Sequence, residues 1–103
     1  MGKMIARIRF LAQEEGGRTQ SLPPSTFGCP IFFEDIPELS AHGYDCRILL
    51  SEINRLIAPG DEVEAVRIVF LSPDEVFAHV RKGTTFSLWE GKVIARGEVV
   101  DIE

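Results

Sequence analysis

The sequence predicts an all-β fold, a small antiparallel sandwich or barrel with one short helix. Three observations carry this. Short stretches alternate apolar and polar residues with period two, Gly and Pro turn signals separate them, and only Ser72-Pro73-Asp74-Glu75 has the chemistry of a helix start. At 103 residues and 45% hydrophobic content, the chain fits a single domain over residues 1–103 that folds without disulfides or a metal.

The first strand is expected over Lys3 to Gln13, where Met4, Ala6, Ile8 and Phe10 share an apolar face. Glu14-Glu15-Gly16-Gly17 then reverses the chain, with the two glycines supplying positive φ. Gln20 to Pro30 reads as a loop because Pro23-Pro24 excludes regular pairing. A short apolar run, Cys29 to Glu34, and an irregular acidic stretch, Asp35 to Ser40, follow.

Tyr44, Cys46, Ile48 and Leu50 alternate as a half-buried strand, and Glu52 to Ala58 fits either a strand or a helical turn. Pro59-Gly60-Asp61 turns into the most strand-like segment, Glu62 to Leu71, with Val66, Ile68 and Phe70 on one face. The helix is placed near residues 73–82: Ser72 as N-cap, Pro73 at the first position, Glu75 completing a capping box, and Val76, Phe77 and Val80 buried. Arg81, Lys82 and Gly83 end it. Thr84 to Glu90 and Lys92 to Ile102 form a hairpin through Glu90-Gly91, with Val93, Ala95, Gly97 and Val99 on one face of its second strand.

The formal charge is −5, and a negative surface on average repels the phosphate backbones that clustered Lys and Arg bind. No apolar run approaches the roughly 20 residues that cross a bilayer. The first seven residues, Met1 to Arg7, lack the apolar stretch of a signal peptide. A cytoplasmic protein without membrane contact is the expectation.

Three blocks, in order and at approximately matching spacing, resemble the C-terminal β-barrel domain of elongation factor Tu. They are Phe10-Leu11-Ala12-Gln13-Glu14-Glu15-Gly16-Gly17-Arg18-Thr19; Pro59-Gly60-Asp61-Glu62-Val63 leading into a β-run ending at Pro73; and Phe86-Ser87-Leu88-Trp89-Glu90-Gly91 followed by Gly97 and Val99-Val100. The resemblance implies a small closed antiparallel barrel of Greek-key type, in a family where that barrel packs against a second barrel and a GTPase domain and helps hold the T-stem of aminoacyl-tRNA. This chain carries no Gly-x-x-x-x-Gly-Lys-Ser/Thr loop, so any GTPase would belong to another chain. Between Gly17 and Pro59 the family's long middle strand and tRNA-facing loop are replaced by the proline-rich Ser21 to Pro37, and the Arg-Thr-Val-Gly pattern after Gly91 is missing. Arg18 is the one basic residue that falls in a matched motif.

Six residues are candidate binding groups: Arg18, Arg81, Lys82, Trp89, Lys92 and Arg96. Trp89, set just before the hairpin turn and opposite the Phe86 and Leu88 face, either anchors an interface or closes one end of the barrel. Arg81-Lys82, Lys92 and Arg96 either gather as a patch for RNA phosphates or serve as helix-end and solvated charges. Phe27, Phe32 and Phe33 would form a sticky loop or the plug of the barrel. Cys29, Cys46, His42 and His79 lack zinc-site spacing, and no nucleophile turn surrounds either cysteine, so no metal, cofactor or catalytic residue is assigned. Cys46 is expected to act as a small core hydrophobe. The leading expectation is a non-enzymatic interaction module engaging a basic protein partner, a translation component or a toxin it neutralises; the alternative is an accessory domain binding tRNA or other RNA.

Overall fold

The computed structural model describes residues 2–103; Met1, the start of the segment read as leaderless, lies outside them. Six antiparallel strands close into a barrel in the order β1-β4-β3-β2-β5-β6, where β1 is Lys3–Phe10, β2 Phe27–Phe32, β3 Tyr44–Ile48, β4 Glu62–Phe70, β5 Thr85–Trp89 and β6 Val93–Ile102. The run β2-β3-β4 with β1 returned beside β4 is a Greek key. No helix among the described residues is long and apolar enough to cross a membrane.

Period-two alternation builds the wall. Met4, Ala6, Ile8 and Phe10 of β1, Tyr44, Cys46 and Ile48 of β3, and Phe86 and Leu88 of β5 all point inward and are buried. Strict alternation breaks at three bulges, one of them at Val100 of β6, between the Ile5–Asp101 and Ala6–Val99 rungs. Ala6 pairs Val66 while Ile8 pairs Val63, so β4 carries one extra residue and both valines face the core. Leu88 pairs Ala95 while Trp89 pairs Val93, which turns Ile94 inward beside Ala95. Strict alternation puts Ile94 on the face opposite Ala95; the extra residue in the ladder brings both inward.

In the ring of six strands β1 lies opposite β2, and β4 opposite β5, so the two long connections cross the ends of the barrel and plug them. The first crossing inserts Leu22, which is bridged to Ile57. The second carries α1, Pro73–Phe77, and inserts Val76 and Val80. Phe33 completes that end, with ring centroids 6.2 Å from both Phe70 and Phe86. Of the three phenylalanines, Phe33 is the plug, whereas Phe27 and Phe32 are only partly covered.

Several expected boundaries move. β1 stops at Phe10 rather than Gln13, and a short 3-10 turn, Gln13–Glu15, follows. Of the Gly16-Gly17 pair only Gly16 takes positive φ, at 92°; Gly17 is required for space, since a Cβ there would stand 2.1 Å from the Leu11 carbonyl oxygen. Residues 27–30, read as loop, belong to β2. They pair with β3 alone, the setting in which a strand tolerates a proline such as Pro30.

The helix is also shorter than expected, one turn ending before Arg81 and Lys82, and the Ser72–Glu75 capping box does not form. Glu75 instead accepts a hydrogen bond from the Tyr44 hydroxyl at 3.2 Å. The Arg81 guanidinium satisfies late carbonyls, donating to Val80 O at 3.0 Å.

Candidate interaction surface

The outer wall across β2 and β5 is where this barrel exposes aromatic surface. Outward positions of β2 carry Pro30 and Phe32, and Trp89 is the last residue of β5. Phe32 shares a rung with Ser87, and its ring meets Trp89 edge-on, centroids 6.1 Å apart at 62°. Gly43 makes room for the other side of the ring, since a Cβ there would come within 2.9 Å of it. Trp89 remains 40% exposed and does not plug the barrel, whose ends are closed by Leu22, Phe33, Val76 and Val80.

Beneath this pair lies Ser87, the only polar side chain buried among the described residues, 1% exposed although it faces outward. Its rung partners Phe32 and Arg96 flank it, and its hydroxyl has no hydrogen-bond partner. Nothing in the period-two count distinguishes Ser87 from a solvated outer residue. Its burial comes from neighbours on two other strands.

Carboxylates rim the patch. Asp45 shares a rung with Pro30 and is exposed. Glu34 follows Phe33 and is exposed, and Asp35 accepts the Thr85 hydroxyl at 3.0 Å. Glu90, next to Trp89, pairs with Arg18. The sequence reading had not singled out these acids as one rim, because they come from three separate segments.

The six expected binding residues separate into groups. Arg18 and Lys92 come together with Gln20 and Glu90 around a surface cleft of about 230 Å³. The Arg18 guanidinium is already engaged, paired with Glu90 and placed 5.8 Å from the centroid of the Phe27 ring. Arg96 lies at mid-barrel on the rung of Ser87 and Arg9, with no hydrogen bond or ion pair among the described residues. Arg81 and Lys82 lie at the far end, where Gly83 N–H donates to Val99 O at 2.8 Å. Six steps of strand, about 20 Å, separate Val99 from Val93, the neighbour of Lys92. The basic residues therefore do not form one patch.

Elsewhere, cations pair with nearby carboxylates: Arg7 with Glu98 at 3.2 Å, Arg55 with Asp61 at 3.2 Å, and Arg67 with Glu52 and Glu103 at 3.0 and 3.1 Å. Exposed pairs of this kind add little to stability, but they leave fewer cations free to meet a phosphate chain. Among the described residues no three His, Cys, Asp or Glu side chains converge as a metal ion requires. The His79 ring stands 4.0 Å from Glu38, and His42 packs on Tyr44 with centroids 4.6 Å apart. No protein-family model matches the chain, and no curated protein matches it in sequence.

Proposed function

We propose that this protein is a binding module of the elongation factor Tu C-terminal-barrel type that recognises a basic protein partner through the Pro30–Phe32–Trp89 patch. The observation that carries the reading is Trp89, an indole left 40% exposed on a rigid strand end and braced by Phe32. Large aromatic groups that are held in place and only partly covered are the usual anchors of protein interfaces. The charge of the partner is read from the exposed carboxylates Asp45, Glu34 and Asp35 near the aromatic pair, and opposite charge on a partner speeds and orients docking. The closed antiparallel barrel is compatible with the sequence resemblance, and a role beside the translation apparatus or against a toxin rests on that resemblance alone.

The RNA reading draws on Arg18 and the Arg81-Lys82 neighbourhood. The engagement of Arg18 by Glu90 and the distance between the basic groups weigh against it.

Capture from native lysate with immobilised wild-type protein and the Trp89→Ala variant, each with and without nuclease, tests the proposal. A protein retained by wild type after nuclease and lost from the variant supports it. Recovery of RNA alone, or equal recovery of the same proteins by both baits, overturns it.

A further inference from the structure

The chain has two cysteines, seventeen residues apart in sequence, and the fold sets them on one rung: Cys29 of β2 directly opposite Cys46 of β3. Both thiols are free and buried inside the barrel, with Cys46 Sγ 3.2 Å from the Cys29 carbonyl oxygen. Directly opposed residues of an antiparallel pair have Cα atoms about 4.5–5.5 Å apart. Disulfides accept about 4.4–6.8 Å, so a bond between these sulfurs needs side-chain rotation and no travel of the backbone.

The two sulfurs differ in access. The β2–β5 ladder consists of Ile31 with Leu88 and Phe32 with Ser87. The next rung would fall to Pro30, which has no N–H to donate. The β2–β5 ladder therefore stops beside Cys29, which is 5% exposed, while Cys46 is fully enclosed. Their chemistry is unequal in the same sense. The Cys46 thiol, together with the Trp89 backbone N–H, stabilises a Cys29 thiolate and lowers its pKa. The contact with Cys29 and then burial push Cys46 upward.

We propose that Cys29 and Cys46 are a dithiol site for low-molecular-weight disulfides of the glutathione class, with Cys29 attacking and Cys46 resolving. The Cys29 thiolate attacks one sulfur of the small disulfide, forming a mixed disulfide and expelling one small thiolate, which takes up a proton. Cys46 loses its proton and attacks Cys29 Sγ, forming the Cys29–Cys46 bond and releasing the second small thiol. The two electrons and two protons lost by the protein end on the two small thiols.

Equilibration of reduced wild-type protein with mixtures of reduced and oxidised glutathione, followed by intact-mass measurement and peptide mapping, tests this. Wild type is expected to lose two hydrogens and keep no glutathione, Cys46→Ala to accumulate an adduct at Cys29, and Cys29→Ala to stay unmodified under native conditions. Because either variant can fail to fold, sub-stoichiometric iodoacetamide on native wild type gives an independent readout. Alkylation of Cys29 should exceed that of Cys46 by about tenfold or more. A wild type that ends as a stable glutathione adduct, keeps both thiols in excess oxidised glutathione, or is alkylated first at Cys46 overturns the proposal.

Discussion

The ring of Phe86 lies across the backbone of Gly97, its rung partner on β6, so closely that a Cβ at residue 97 would stand 2.4 Å from the ring and 2.8 Å from the Arg7 carbonyl oxygen. An inward glycine thus makes a seat for an aromatic side chain, and three strands meet around it. Gly97→Ala is expected to destabilise the barrel by about 1–3 kcal/mol, the range for overpacking a tight core. Trimming the ring as well, in Gly97→Ala/Phe86→Leu, should not restore stability, because the clash with the β1 backbone persists. Urea denaturation of the three proteins checks this; full recovery in the double variant would count against the geometry.

Ser87 presents the opposite case, a buried group that contributes nothing polar in return. Its hydroxyl is enclosed without a hydrogen-bond partner, a situation that costs about 1–3 kcal/mol. Ser87→Ala should therefore raise stability by about 1 kcal/mol, seen as a higher urea midpoint at unchanged slope. A loss of stability would mean that the hydroxyl is satisfied in solution.

Trp89 should contribute to both stability and binding. Its edge-on contact with Phe32 is worth about 0.5–1.5 kcal/mol beyond the burial of the covered part of the indole, so Trp89→Ala should lower stability by about 2–3 kcal/mol in all. Loss of an interface anchor costs about 2 kcal/mol or more, roughly thirtyfold in affinity. Calorimetry with a partner captured by wild type measures both. An unchanged affinity would remove Trp89 from the interface.

Glu15 sets an acid limb. Its carboxylate accepts hydrogen bonds from Arg9 at 3.0 and 3.3 Å and from the Ala12 N–H at 2.8 Å, and these, Arg9 first, hold it below the usual carboxylate range. A pKa lowered by folding stabilises the native state above the unfolded value, about 4.3 for Glu. That contribution is lost as pH falls through the folded value. Glu15→Gln should be less stable than wild type near neutral pH, with the difference fading below about pH 4.3. Denaturation curves for the pair across acidic pH show whether the gap closes there.

Joining Cys29 to Cys46 would close a short loop containing the β2–β3 connection and the rungs next to it. For loops of this size the constraint on the unfolded chain is worth about 3 kcal/mol, so the oxidised protein should melt well above the reduced one. Equal melting temperatures for the two forms would show that the bond strains the barrel by as much as it constrains the unfolded chain.

Much of the wall was legible in advance. Alternation alone assigned the inward faces of β1, β3 and β5, because side chains on a strand must alternate whatever it pairs with. Pro30 misled because prolines usually mark loops, and only the partial β2–β5 ladder explains how one is accommodated in a strand. The helix start was read from local chemistry, yet Glu75 was claimed by Tyr44 from another strand.

Local sequence determined the all-β class, the turn positions and the inward apolar stripes. Each depends only on backbone stereochemistry and the spacing of neighbouring residues. Tertiary structure alone decided the rest. It set Cys29 opposite Cys46, buried Ser87 between Phe32 and Arg96, turned Ile94 inward, and parted Lys92 from Arg81 and Lys82. These are properties of register, and register is fixed when the strands close into one barrel, where a slip of one residue would turn an apolar stripe toward water.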